Sequence, residues 1–169
     1  MINGMHLLPV RFDHPDAVKL NDLVQAEYTE RYGDGDVTPL DATMFDPPRG
    51  IYLLAYDDAG RPVATGGWRA REAADGYADG DAEIKRMFVV REARGRGLAR
   101  RILARLEESA REAGRARVVL ETGTMQPEAI GLYESSGYLL LDEAEKFGAY
   151  RDSPSSRCFF KALKAAQPL

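Results

Sequence analysis

The sequence predicts one α+β domain that covers residues 1–169. Its length suits a single hydrophobic core and leaves little room for a second one. Short apolar runs typical of strands alternate with segments whose apolar residues recur every three or four positions, as they do on one face of a helix. Near the middle of the chain a strand, a helix and a second strand follow one another, and this order indicates a parallel crossover within a sheet.

The first elements are a strand, a helix and a long loop. Residues 6–12 are extended, and a helix begins near Pro15, because proline suits the first turn of a helix. Residues 32–50 are rich in Gly, Asp and Pro and are expected to form a loop with space for one short helical turn. Loops of this length inside a compact domain are often functional. The apolar face of the helix is expected to hold Ala17, Leu20, Leu23, Val24 and Tyr28.

A hairpin and a third strand come next. The Asp-Asp-Ala-Gly connection at 57–60 joins two apolar runs at 51–56 and 62–69, which is a strong hairpin pattern. The Gly- and Asp-rich residues 73–81 are interpreted as a solvated turn, since the spacing of a calcium loop is absent. A strand over 82–90 follows this turn.

The second half contains the clearest helix of the chain, over residues 97–113, with Gly114 at its C-terminal end. A further helix follows Pro127 and ends near Gly137. The remaining extended segments are residues 118–121, 138–141 and 158–163.

Composition excludes several classes of function. The chain has 23 basic and 27 acidic residues, a formal net charge of -4 and 44% hydrophobic residues, which argues against a nucleic-acid-binding face and against disorder. No apolar run reaches the length of a membrane span, and the first residues lack the pattern of a secretion signal. Cys158 has no second cysteine to pair with, and His6 and His14 lack metal-ligand spacing. We therefore expect a cytoplasmic protein with no metal.

The junction between the strand at 82–90 and the following helix predicts an anion site. A Gly-rich turn at 94–97 opens directly into the helix, so unpaired amides and the positive end of the helix dipole face one point. A P-loop is excluded because Leu98 follows Gly97, and a dinucleotide fingerprint is excluded because Arg100 replaces its last glycine. A third pattern, Arg/Gln-x-x-Gly-x-Gly/Ala for the pyrophosphate of coenzyme A, is matched by Arg94, Gly97 and Ala99.

With these residues the sequence resembles the GNAT superfamily of N-acetyltransferases. The segment 127–138, Pro-Glu-Ala-Ile-Gly-Leu-Tyr-Glu-Ser-Ser-Gly-Tyr, resembles another block of that family, with Tyr138 in place of Phe. The matching blocks cover residues 83–141. The resemblance implies a GNAT-like fold, a central mixed, mostly antiparallel twisted sheet of six to seven strands flanked by about four helices.

The resemblance also implies where acetyl-CoA binds. Pantetheine is expected beside the strand at Met87, Phe88 and Val89, and the amide of Val89 is expected to polarise the thioester carbonyl and stabilise the oxyanion. Gln126 stands where the family often has an Asn that contacts pantetheine. The pyrophosphate is expected on the turn and the start of the helix, formed by Arg94, Gly95, Arg96, Gly97, Leu98, Ala99 and Arg100.

Two catalytic residues follow from the same resemblance. Tyr133 is expected to protonate or hydrogen-bond the departing thiolate, with core packing as the alternative role. Glu83 is the candidate general base, because an amine arrives protonated at neutral pH and must lose a proton before it attacks. A simple hairpin carboxylate is the alternative interpretation of Glu83, and Glu121 is a second carboxylate that either faces the same cleft or pairs with an arginine.

The expected function is transfer of the acetyl group of acetyl-CoA to a primary amine of a small molecule, protein or peptide. Direct transfer in a ternary complex is expected because Cys158 is remote in sequence from any base. A non-catalytic sensor or interaction module that binds acyl-CoA is the alternative, and a longer acyl donor stays open. The acceptor is expected to contact the first helix and residues 32–50. Homodimers are common in this superfamily and are a further expectation.

Overall fold

The computed structural model describes residues 5–36 and 40–164. Three α-helices are present in this part of the chain: α1 (Pro15–Tyr32), α2 (Leu98–Glu112) and α3 (Pro127–Ser135). The strands are β1 (His6–Pro9), β2 (Gly50–Tyr56), β3 (Pro62–Arg71), β4 (Asp81–Val89), β5 (Arg117–Gly123), β6 (Leu139–Leu140) and β7 (Ser156–Ala162).

The strands form one mixed sheet of seven in the order β1-β2-β3-β4-β5-β7-β6. All neighbouring pairs are antiparallel except β4 and β5, which are parallel and joined by α2. The predicted α+β class, the hairpin and the central crossover are therefore confirmed. Three α-helices flank the sheet where about four were expected, because the described parts of the 32–50 loop contain only turns after Tyr32; positions 37–39 of that loop lie outside the described residues.

Helix α1 covers one face of the sheet. It begins where His14 Nδ1 accepts a hydrogen bond from the backbone N–H of Asp16 (3.0 Å), and it ends at Gly33, which has a φ of 83°. The prediction that Leu23 lies on the buried face is wrong, since Leu23 is 46% exposed. The position that faces the sheet is Asn21, which donates to the hydroxyl of Tyr52 (2.8 Å), so a polar residue completes the stripe of Ala17, Leu20 and Val24.

Helix α2 packs against the other face of the sheet. Its buried apolar residues belong to the same core cluster as Tyr133 and Tyr138. Full burial of such a leucine or isoleucine side chain contributes about 1.5–3 kcal/mol. Glu107 is the buried polar exception: it accepts from the hydroxyl of Tyr138 (2.8 Å) and from Lys161 Nζ (2.9 Å). This contact gives a physical reason for a tyrosine where the family pattern has a phenylalanine. The buried apolar residues of α2 are Leu98, Ile102, Leu103, Leu106 and Ala110.

A bulge in β4 separates it from β5 and creates the site. Between the pairs Thr65↔Phe88 and Gly67↔Lys85, one residue of β3 faces two residues of β4. Arg86 in this bulge has a φ of 60°, in the left-handed region that non-glycine residues rarely adopt. A bulge bends its strand and increases the local twist. Pairing of β4 with β5 accordingly stops after residues 81–83, and the two strands diverge.

Candidate functional site

A cavity of about 370 Å³ lies in the gap between the diverging strands β4 and β5. This volume is within the range typical of small-molecule sites, which are concave and lined by apolar walls with a few polar groups. Helix α1 and the segment after it, both strands, the start of α3 and the segment before β7 all contribute to the wall. The lining side chains with polar groups that matter below are Tyr28, Asp36, Lys85, Arg86, Glu121, Gln126, Tyr133 and Tyr150.

The backbone of β4 offers hydrogen-bonding groups to this gap. The N–H of Val90 donates to the carbonyl of Val63 in β3 (2.8 Å). Because bonding directions alternate along a regular strand, the backbone N–H of Val89 points away from β3, toward the side that β5 has left. The ring of Phe88 packs instead in the core cluster beside α1. The predicted pantetheine strand thus presents the backbone N–H of Val89, Met87 lines the cavity from within the bulge, and Phe88 packs in the core.

The predicted anion turn has the geometry of an open helix N-terminus. Gly95 and Gly97 have φ of 82° and 78°, and Gly97 caps α2 without any side-chain cap from the described residues. The amides of the first turn, at residues 98–100, therefore remain available to an anion. Arg96 and Arg100 are exposed at this turn. Arg100 donates to the hydroxyls of Ser135 (2.9 Å) and Ser136 (3.2 Å), which ties α2 to the end of α3.

The side chain of Arg94 is engaged within the protein. Its Nε donates to the carbonyl of Val89 (2.9 Å), and Nη2 donates to Glu27 Oε1 (2.8 Å). Its guanidinium also lies over the ring of Phe88, 5.7 Å from the centroid. Arg94 therefore connects the turn to β4 and to α1, and its backbone N–H donates to the carbonyl of Arg91 (3.3 Å), so the amides left for an anion are those that follow it.

The predicted base, Glu83, lies outside the cavity lining. It is 2% exposed, accepts from Arg69 Nε (2.8 Å) on one oxygen and from the hydroxyl of Tyr77 (2.9 Å) on the other. Arg69 and Glu83 are directly opposite each other in the β3–β4 register. Burial, followed by the nearby carboxylate of Glu83, raises the pKa of Tyr77, so this hydroxyl stays protonated and donates.

Glu121 is the carboxylate of β5 that does line the cavity. The hydroxyl of Ser156 donates to its Oε2 (2.7 Å) and fixes the side chain against β7. Burial raises the pKa of Glu121, an effect that the Ser156 bond and Lys85 oppose and that the carboxylates of Glu83 and Asp36 reinforce. A carboxyl group with a raised pKa at a cavity wall is suited to accept a proton near neutral pH.

Tyr133 and Gln126 line the cavity from the α3 side. Tyr133 is 5% exposed and its ring packs edge-on against Tyr138, with 5.6 Å between centroids. Burial raises the pKa of Tyr133, so its phenol is protonated and able to donate. Gln126 Oε1 accepts from the hydroxyl of Tyr32 (3.2 Å), so this amide links α3 to the end of α1.

A charged cluster around Asp36 forms a further wall of the cavity. Asp36 Oδ2 lies 3.3 Å from Lys85 Nζ and 3.6 Å from Arg86 Nη2, and its Oδ1 accepts from the hydroxyl of Tyr150 (3.2 Å). Gln25 holds the backbone N–H of Asp36 at 2.7 Å from its Oε1. The sequence indicates Asp36 as a loop carboxylate that suits a cationic amine and Tyr150 as a residue near the acceptor site. It does not indicate that the two meet Lys85 and Arg86 of β4.

Two further findings concern metals and membranes. Within residues 5–36 and 40–164, no three histidine, cysteine or acidic side chains form a group able to hold a metal ion. The helices in the same ranges are too short or too polar to cross a membrane.

The chain is similar in sequence to known acetyltransferases. The sequence profile of the acetyltransferase (GNAT) family matches residues 17–138. An IAA acetyltransferase of Azospirillum brasilense is 42% identical over 84 residues, which are 50% of this chain and 53% of that protein. The chain thus spans about half the length of this relative. The N-acetyltransferase YjgM of Escherichia coli, itself uncharacterized, is 30% identical over 138 residues, 78% of this chain and 80% of that one.

Solved structures share the fold over nearly the whole chain. A Klebsiella pneumoniae protein, provisionally described as an acyl-CoA N-acyltransferase, has a TM-score of 0.76 and 26% identity over 95% of this chain and 98% of its own. Spermidine N-acetyltransferase of Vibrio cholerae, solved with CoA and spermine, has a TM-score of 0.65 and 13% identity over 94% of this chain and 95% of its own, and so shows the shared fold alone. By its family profile and its fold, the chain is a member of the GNAT family of acetyltransferases, enzymes that transfer an acyl group from an acyl-coenzyme A.

Proposed function

We propose that this protein transfers the acetyl group of acetyl-CoA to a primary amine by direct attack, without an acyl-enzyme. The observation that carries the proposal is that one cavity, in the gap between β4 and β5, is lined by both Glu121 and Tyr133 and lies beside the unpaired backbone of β4. A base, an acid and a donor for a carbonyl oxygen are the three groups that aminolysis of a thioester requires.

The residues at the N-terminus of α2 are suited to bind a pyrophosphate. Two glycines in the left-handed region and an uncapped helix start provide the concave row of amides that binds phosphate groups, and Arg96 adds exposed positive charge. Met87 and Val89 are proposed to hold the pantetheine arm through their backbone, and the amide of Val89 is proposed to face the thioester carbonyl. Acetyl-CoA supplies the acetyl group in activated form, as a thioester.

Glu121 is proposed as the general base and Tyr133 as the general acid. Glu121 takes a proton from the ammonium, and the nitrogen then attacks the thioester carbon, so that a C–N bond forms and the carbonyl oxygen becomes an oxyanion. When the C=O bond forms again and the C–S bond breaks, the phenol of Tyr133 gives its proton to the leaving sulfur, and the second proton of the nitrogen returns to the phenolate. Glu121 replaces Glu83 in this role because Glu83 is held by Arg69 and Tyr77 outside the cavity lining. Because the pKa of Tyr133 is raised, its phenol stays protonated until the thiolate leaves.

Burial of the single cysteine supports direct transfer. Cys158 is fully buried, and its surroundings raise the pKa of the thiol to about 11. Nucleophilic cysteines are thiolates with a lowered pKa at partly exposed positions. Cys158 has the opposite properties, so a covalent acetyl-cysteine is not part of the proposal.

Gly148 lies against the carboxylate of Glu121, the proposed base. The substitution Gly148→Ala is expected to lower kcat by roughly 10-fold or more, because proton transfer requires Glu121 to keep its orientation toward the amine. A Cβ at Gly148 would lie 2.6 Å from Glu121 Oε1, so the carboxylate must move. Gly76→Ala is the matched control: Gly76 has a φ of 89° against 88° for Gly148, yet a Cβ there meets nothing within 4 Å. Both variants carry the same backbone strain, and steady-state kinetics should show a loss only for Gly148→Ala; equal losses would contradict the placement of Glu121.

The function is tested by thiol release from acetyl-CoA with a panel of primary amines, together with calorimetric titration of acetyl-CoA. We expect binding of acetyl-CoA, amine-dependent thiol release, and intersecting double-reciprocal plots when both substrates are varied. Parallel plots would indicate an acyl-enzyme and contradict direct transfer. Binding of acetyl-CoA without thiol release for any amine would support the non-catalytic module instead.

A further inference from the structure

Arg86 has fewer and longer contacts than its burial requires. Its side chain is 6% exposed and lines the cavity. Nη1 lies 3.4 Å from Asn21 Oδ1, Nη2 lies 3.6 Å from Asp36 Oδ2, and Nε has no hydrogen-bond partner within the described residues. A guanidinium carries five N–H donors, and its bonds to carboxylates are about 2.7–2.9 Å long when well formed. Arg86 therefore retains unused capacity to bind an anion.

Arg86 reaches the cavity wall only because its backbone adopts an unfavourable conformation. Successive side chains of a regular strand point to opposite faces, yet the bulge brings both Lys85 and Arg86 into the cavity wall. Arg86 adopts a φ of 60° to do so, and such strained residues cluster at ligand sites. Tyr150 and Lys85 lie closer to the carboxylate of Asp36, at 3.2 and 3.3 Å, than Arg86 does at 3.6 Å.

Opposite charges occupy two different walls of the cavity. Arg86 contacts Asn21 of α1, whereas Glu121 is fixed by Ser156 of β7. The wall at Arg86 holds two basic side chains, Lys85 and Arg86, that share the one carboxylate of Asp36, so it has an excess of basic groups. A ligand with an amine near Glu121 and a carboxylate near the free N–H groups of Arg86 would find a complementary charge at both ends. A diamine or polyamine would instead bring a second cation toward Lys85 and Arg86, where Asp36 already has both as partners, and like charges are unfavourable in a buried site.

We propose that the acceptor is an amino acid, a small molecule with an amine and a carboxylate, and that Arg86 binds the carboxylate. This inference rests on the proposed transferase function and adds the class of acceptor. Arg86 is then a specificity-determining residue: it selects carboxylate-bearing amines through binding and takes no part in the proton transfers. Its removal should act on the KM of the acceptor rather than on kcat.

The first test uses the unmodified protein. Thiol release is measured with the twenty amino acids, β-alanine and γ-aminobutyrate, and then with the primary amide and the decarboxylated amine of each substrate that reacts. We expect kcat/KM to be about 10²-fold higher for the amino acid than for its matched amide or amine, mainly through KM, because the matched compounds leave the free N–H groups of buried Arg86 without a charged acceptor. Equal kcat/KM for the matched compounds would overturn the inference and leave the transferase function intact.

The second test uses Arg86→Met and Arg86→Lys, with Arg61→Met in the exposed β2–β3 turn as the control for loss of a guanidinium. Arg86→Met should raise the KM of the amino acid by about 50-fold or more while leaving the KM of the decarboxylated amine and of acetyl-CoA unchanged. Arg86→Lys should retain part of the preference for the amino acid over its decarboxylated amine, and Arg61→Met should retain the full preference. Circular dichroism checks folding, and if Arg86→Met fails to fold, the substrate comparison in the unmodified protein decides.

If neither class of amine is acetylated, the transferase proposal fails. Binding of amino acids then tests the carboxylate site by itself. The same amino acids are titrated calorimetrically into the protein with coenzyme A. Binding that Arg86→Met abolishes and Arg61→Met preserves supports the carboxylate site. Absence of binding to the unmodified protein overturns it.

Discussion

Glu121→Gln is expected to lower kcat by about 10²- to 10⁴-fold, the contribution typical of a positioned general base. Glutamine keeps the shape of the side chain and can still accept the hydrogen bond from Ser156, but it cannot take a proton. The binding of acetyl-CoA should be unchanged in a calorimetric titration, since the predicted coenzyme contacts lie on β4 and at the start of α2.

The pH dependence of the same variant gives the sharper test. Because burial raises the pKa of Glu121, the acidic limb of the kcat/KM profile should lie above the ordinary range of a glutamate. Rate is lost as the pH falls through this raised pKa, since the base becomes protonated. Glu121→Gln should remove this limb, and its deficit should be greatest between that pKa and the pKa of the amine, where substrate arrives protonated and the unmodified protein still has its base.

Glu83→Gln is the matched comparison, because both substitutions remove one carboxylate from neighbouring strands. Glu83 lies outside the cavity lining, so its variant should keep the acidic limb of the profile. Loss of the limb in Glu83→Gln, with its retention in Glu121→Gln, would identify Glu83 as the base. Rates should be measured well below the melting temperature of each variant, because Glu83 belongs to a buried ion pair and its substitution is expected to destabilise the fold.

Arg69→Met is expected to lower the free energy of unfolding by about 3–5 kcal/mol, because it leaves a buried charge without its partner. The two side chains of the Arg69–Glu83 pair are only 5% and 3% exposed. Arg61→Met is the control: its pair with Asp57 has the arginine 77% exposed, and exposed pairs contribute no more than about 1 kcal/mol. Urea denaturation followed by circular dichroism measures both.

A double-mutant cycle separates the pair from its surroundings. If the loss in Arg69→Met comes from the unpaired carboxylate, then adding Glu83→Gln should cost much less in that background than alone, giving a coupling of about 1–3 kcal/mol. Additive losses would mean that Arg69 stabilises the fold through other contacts, such as the one from its Nη1 to Met44 Sδ (2.9 Å).

Periodicity and turn chemistry predicted most of the elements, because those signals are local. The helix from Leu98 to Glu112, the β2–β3 hairpin and the parallel crossover all lie where the sequence indicates them. Leu23 is the instructive error: it has the spacing of a buried residue, but the packed stripe turns slightly and takes Asn21 instead. Which of two adjacent stripes is buried depends on what the sheet offers, here the hydroxyl of Tyr52.

The site divides in the same way. The turn at 94–97 was predicted because two glycines before an amphipathic helix are a local pattern with one physical use. The cluster of Asp36, Lys85, Arg86 and Tyr150 was not, because it joins three segments that are far apart in the chain. The cluster forms only because β4 contains a bulge. The alternation of apolar and polar residues along a strand does not indicate where a bulge occurs.

The sequence by itself determined the fold class, the order of the elements, the glycine-rich turn at the start of α2 and the resemblance to GNAT acetyltransferases. The tertiary structure decided which carboxylate faces the cavity. The sequence favours Glu83 as the base, but the register places Arg69 directly opposite Glu83 and buries the two as a pair. The divergence of β4 and β5 then leaves Glu121 on the open wall, because strand pairing and bulges are interactions between distant residues.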